Sequence, residues 1–172
     1  PSYPISAIFK NTEPDPTAPW VMPGKYTIKL KVNGETQEQV LQVRMDPRVK
    51  TTQADLQKQH DLSLQCYVLR QESSELIIKV KAKRESLKSE IASATGEKLE
   101  QLKNTDKALA ELENPGPGSK LPGLNRFPGT FAGLFGILQD ADLAPTSQAA
   151  AAVAEAVANF NSIKAKWLSL SK

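Results

Sequence analysis

A chain of 172 residues that is 40% hydrophobic and 24% charged is long enough to bury a core and too apolar to be disordered throughout. Its net charge of +3 is too small to mark a nucleic-acid binder, and no apolar run approaches the roughly 18 residues of a membrane span. The single cysteine, Cys66, excludes an internal disulfide framework.

The first residues, PSYPISAIF, contain no initiator Met, basic n-region or apolar h-region. Any targeting peptide is therefore expected to have been removed or to lie upstream. A short strand is expected around Ile5, Ala7 and Phe9, followed by a proline-rich loop from Glu13 to Pro23 in which Trp20 anchors against the sheet. From Lys25 to Val32 polar and apolar residues alternate. Tyr26, Ile28, Leu30 and Val32 share one face, expected to be buried, and Lys25, Thr27, Lys29 and Lys31 share the other. Asn33-Gly34 suits the two positive-φ positions of a type I′ turn. A return strand with Leu41, Val43 and Met45 on one face then runs to Asp46-Pro47, where proline withdraws a backbone donor. Three strands are too few for two packed sheets. Either the β unit is cut from a larger sandwich, or the helices that follow cover its apolar face.

Thr51 or Thr52 is placed to cap a long helix, with Asp55 in its first turn. Its seam is Leu62, Cys66, Leu69, Leu76, Val80, Leu87 and Ile91, with Ser73 in the stripe. Small residues from Ser93 to Gly96 stop it, and Leu99, Leu102, Leu109 and Leu112 mark a second, antiparallel helix. NPGPG at 114–118 breaks the chain, and a Pro/Gly-rich loop is expected to run over 114–128. Phe127, Phe131, Leu134 and Leu138 space a short helix whose Gly129, Gly133 and Gly136 would allow close helix approach. Pro145 and Thr146 begin the last helix, striped by Val153, Val157, Phe160, Ile163, Trp167 and Leu170. The expected fold is α+β by segment. A partial Ig-like β-sandwich or β-hairpin unit occupies residues 1–49, and an antiparallel helical bundle occupies 50–172.

The chemistry-bearing residues form no catalytic set. Asp140 and Asp142 flank Ala141 before a helix, where aspartates serve as loop and capping residues, and no aromatic-lined frame sets two carboxylates across a sugar cleft. His60 beside Asp61 has no second His or Cys at metal spacing and no partnered nucleophile. Cys66 sits on the helix seam as a small core residue. Neither GxxxxGK[ST] nor GxGxxG occurs. Lys79, Lys81, Lys83, Arg84 and Lys88 wrap around their helix, interrupted by Glu85 and Glu90, and read as a solvated face rather than a site for an acidic partner. Trp20 and Tyr26 are weighed as a carbohydrate-stacking surface against core or loop anchors, and Trp167 as core. No catalytic, cofactor-binding or metal-binding residue is expected.

Three segments carry a resemblance: WVMPGKYTIKLKVNG at 20–34, LQVRMDPRVKTT at 41–52, and LQKQHDLSLQCY on the helix that follows. They resemble the C-terminal region of large bacterial proteins with BNR-repeat, sortilin-like β-propellers, often labelled glycosyl-hydrolase-like. The DPRV junction is the most specific element. DADLAPTSQ at 140–148 is also similar, whereas NPGPGSKLPG departs from the pattern. The resemblance implies an extracytoplasmic location (periplasmic, surface or secreted), upstream propeller domains of the same parent chain as partners, and any hydrolase activity in those propellers. It transfers no active-site residue and no cofactor. The function expected is a non-catalytic structural or accessory C-terminal region. The alternative is a protein- or glycan-binding module acting through a bundle groove or the β face. An enzyme domain would need a cleft with converging carboxylates.

Overall fold

The computed structural model describes residues 18–171. They form a two-stranded antiparallel hairpin followed by four α-helices: β1 (Gly24–Val32), β2 (Glu35–Val43), α1 (Gln53–Ser93), α2 (Gly96–Glu113), α3 (Phe127–Leu138) and α4 (Ser147–Leu170). The expected strand around Ile5 lies outside the described residues.

The 41 residues of α1 contain neither proline nor glycine, so nothing interrupts a rod of about 60 Å. Thr52 caps it: its Oγ1 accepts from the Asp55 N–H at 3.1 Å and donates to the Asp55 carboxylate at 2.7 Å. Thr146 caps α4 in the same way, accepting from the Ala149 N–H at 3.1 Å. Cross-helix bonds fix the directions. Arg84 meets Asp106 and Glu113, so α2 runs back along the far half of α1. Gln59 reaches the Leu138 carbonyl and Tyr67 stacks near Phe135, so α3 continues downward along the near half. Lys164 meets Glu72, and Thr51 bonds the Asp142 carbonyl before α4 begins, so α4 ascends beside α1. One long helix is thus backed by α2 and α3 end to end, with α4 closing the groove.

The core lies between these helices and includes the fully buried rings of Phe127, Phe131 and Phe160. Ring centroids there lie 5.2 to 5.9 Å apart, in the tilted and edge-on arrangements that the ring quadrupole favours. The buried stripe of α1 is Leu56, Gln59, Ser63, Cys66, Leu69, Ser73, Leu76, Val80 and Leu87. Leu62 and Ile91, expected in that seam, are only half-buried. Two further expectations change. The Pro/Gly loop ends at Gly123, well short of 128: a 3₁₀ turn at Leu124–Arg126 leads directly into α3. Pro128 sits in the first helical turn, where its missing N–H has no intrahelical partner to lose. Gly129, Gly133 and Gly136 face outward with open space where a Cβ would stand, so they serve no helix approach. The glycine that does is Gly123, where a methyl group would collide with the Glu113 carbonyl and the Pro115 ring.

The hairpin stands apart from this core. Its turn is the expected one, with Asn33 at φ 50° and Gly34 at φ 89°, and the register places Val32 opposite Glu35. Its apolar face, however, is bare: Ile28, Leu30, Val32 and Leu41 are 50%, 59%, 54% and 46% exposed. The described residues form no Ig-like sandwich, and the helices do not cover the face either. Alternation along a strand says which side prefers cover but does not supply the cover. At the exit, the Asp46 carboxylate accepts the Arg48 N–H at 2.9 Å and pairs with its guanidinium, turning the chain toward α1. That contact holds the Asp46 carboxyl below its ordinary pKa and the Arg48 guanidinium above its own.

Candidate interaction surface

The root of the hairpin is held by a buried polar clamp. Gln139, one residue past α3 and 4% exposed, accepts the Trp20 N–H at 2.8 Å through Oε1. Its Nε2 donates to the fully buried Ser63 hydroxyl on α1 at 2.9 Å. One turn earlier on α1, Gln59 donates to the carbonyls of Leu138 and Ala141, both at 2.6 Å. The segment entering β1, the start of α1 and the α3–α4 connection therefore meet at three polar side chains, and no buried side-chain polar atom among the described residues lacks a partner. Trp20, 42% exposed, is anchored to the end of α3 through its backbone rather than against the sheet. The Tyr26 hydroxyl turns back to the Met22 carbonyl at 2.6 Å. The clamp was hidden in the sequence because it consists of two glutamines and a serine. The signal present was the spacing of Gln59 and Ser63, which fall on the same face as Leu56 and Cys66.

The remaining candidate residues are scattered. Asp140 is exposed, and Asp142 offers its backbone carbonyl to Thr51. His60 lies beside Asp61, with Nδ1 3.4 Å from the carboxylate. Among the described residues no group of three or more His, Cys, Asp or Glu converges as metal ligands would. Cys66 is fully buried in the core, and burial pushes its thiol up to about 11. That is the opposite of what an activated nucleophile requires. Arg84 belongs to no solvated face: its guanidinium donates to Asp106 at 2.8 Å and to the buried Glu113 at 2.5 Å, and the two carboxylates hold its pKa above the ordinary value. Lys88 pairs locally with Glu85. Trp167 is half-buried, packed against the core rather than inside it.

Two of the grooves on the bundle bear on a binding role. One of about 540 Å³ lies between the end of α2, the Pro/Gly loop and the end of α4, floored by Leu112, Ile163 and Leu170, with Glu111 and Lys166 among its lining. The other, about 470 Å³, is a shallow trough between α1 and α4 around Leu64, Val68 and Val157. Each is lined by a single carboxylate and by no aromatic ring. No helix among the described residues is long and apolar enough to cross a membrane. No protein-family model, curated protein or solved structure matches the chain.

Proposed function

We propose that this chain is a non-catalytic structural region at the C-terminal end of a larger extracytoplasmic protein of the BNR-repeat, sortilin-like type. In that reading, the bundle holds the hairpin at a fixed place so that sheet from the preceding part of the protein can complete it. The observation that carries the reading is the bare apolar face of the hairpin. An isolated two-stranded hairpin is at best marginally stable in water, and a half-apolar ribbon of this kind normally packs its apolar side on something. The clamp at Gln139 supports the same reading, because it fixes the hairpin root to α1 and α3 at a cost in buried polar groups that a loosely tethered ribbon would not require. Any hydrolytic chemistry of the parent belongs to the upstream propellers.

A binding-module reading would use the groove between α2 and α4. Its lining has no aromatic ring on which a sugar face could stack, so an apolar protein segment suits it better than a glycan. The scaffold reading is tested by expressing the full-length gene and measuring the intact mass and N-terminal sequence of the product. A much larger precursor with a propeller ahead of this region is expected. A gene encoding this chain alone would end the proposal and direct the search to partners of the bundle.

A further inference from the structure

The two strands of the hairpin are not equivalent. With a two-residue turn, the flanking pair Val32 and Glu35 is a hydrogen-bonded pair, and so are Leu30 with Gln37, Ile28 with Gln39, and Tyr26 with Leu41. The backbone groups of Lys25, Thr27, Lys29 and Lys31 therefore point away from β2, along the outer edge of β1. Those of Thr36, Glu38, Val40 and Gln42 line the outer edge of β2. On the apolar face, all four β1 positions from Tyr26 to Val32 are apolar, and three of them lie opposite Gln39, Gln37 and Glu35. The apolar surface thus continues off β1 on the side away from β2. A strand added there would extend it, whereas a strand added beyond β2 would meet glutamine and glutamate.

The polar face supplies a charge preference. Lys29 is satisfied across the ladder by Glu38 at 2.6 Å. Lys25 and Lys31 lie opposite Gln42 and Thr36, and neither has an ion-pair partner among the described residues. We propose that the outer edge of β1 is a strand-acceptor site. Its occupant is an extended segment of alternating apolar and acidic residues, whose acidic side chains lie beside Lys25 and Lys31. β1 becomes an inner strand of the completed sheet and β2 its terminal edge. Resting on the scaffold reading above, the segment comes from the preceding part of the same protein. A second copy is disfavoured as occupant, because antiparallel pairing of two β1 edges centred on Ile28 sets Lys25 against Lys31 twice.

The test uses the isotopically labelled 172-residue chain and two synthetic peptides of roughly nine residues, one alternating valine with glutamate and one alternating valine with lysine. Amide exchange is followed by NMR. The glutamate peptide should slow exchange of the Thr27, Lys29 and Lys31 amides by about tenfold or more, leaving Glu38, Val40 and Gln42 unchanged, and the lysine peptide should slow none. In the doubly substituted Lys25→Glu, Lys31→Glu chain the preference should invert. Protection along β2, equal protection by both peptides, no protection at millimolar peptide, or a concentration-dependent dimer protecting β1 without peptide would each overturn the proposal. Because the peptides read edge and charge directly, this outcome is independent of whether the gene encodes upstream propellers.

Discussion

Replacing Gln139 by leucine keeps nearly the same volume at a site only 4% exposed while removing both of its hydrogen bonds. The Ser63 hydroxyl has no other bonding partner among the described residues and is fully buried, so stranding it costs about 1–3 kcal/mol. The bond to the part-buried Trp20 N–H contributes about 1 kcal/mol, since that donor can regain water. Gln139→Leu should therefore destabilise the fold by roughly 2–4 kcal/mol in urea unfolding followed by far-UV circular dichroism. The informative variant is the double one. Adding Ser63→Ala removes the stranded hydroxyl, so the Gln139→Leu, Ser63→Ala chain should be more stable than Gln139→Leu alone, losing only about 1 kcal/mol. A double variant that falls at the sum of the two single losses, or a Gln139→Leu chain with an unchanged midpoint, would refute the clamp.

Phe160→Ala removes a fully buried ring whose centroid lies 5.2 Å from Phe127 and 5.8 Å from Phe131, and the expected loss is about 3–5 kcal/mol in the same assay. A loss under about 1 kcal/mol would mean that this cluster is not the core. Arg84→Met leaves the buried Glu113 and its neighbour Asp106 without their shared cation, and about 3 kcal/mol should be lost; an unchanged thermal midpoint would contradict that. The Cys66 thiol has its pKa raised by burial from 9.0 to about 11, so its contribution to stability is full below pH 9 and is lost as pH rises through 11. Stability should fall more steeply between pH 9 and 11 in the native chain than in Cys66→Ala, and parallel slopes would exclude the effect.

Much of the architecture was readable because it rests on local rules. Thr52 and Thr146 cap helices because their hydroxyls accept amide protons that have no intrahelical partner, and Asn33-Gly34 turns the hairpin because both residues tolerate positive φ. The errors fall where a non-local contact decides. Proline content suggested a loop through 128, but Pro128 is tolerated at a helix start, and Phe127 and Phe131 pull that segment into the core. Gly129, Gly133 and Gly136 looked like a packing face, yet the phenylalanines define the buried side and leave the glycines outside. Arg84 was indistinguishable from its neighbouring lysines until α2 brought Asp106 and Glu113 to it. The clamp residues Gln59, Ser63 and Gln139 carry no apolar signal, and only the position of the first two on the seam marked them. The hairpin shows the same limit in reverse: its pattern identified the face that seeks cover, and no surface among the described residues supplies it.

The central claim is that the bundle is the stable unit of this chain and that the hairpin awaits completion from outside it. Native-state amide exchange across the 172-residue chain tests this most directly. The account predicts that amides in the core-facing turns of α1, α3 and α4 exchange only through global unfolding, while those between Tyr26 and Leu41 exchange orders of magnitude faster, gaining protection when the proposed strand-donating segment is added. Hairpin amides as protected in this chain as those around Cys66 and Phe160 would contradict it.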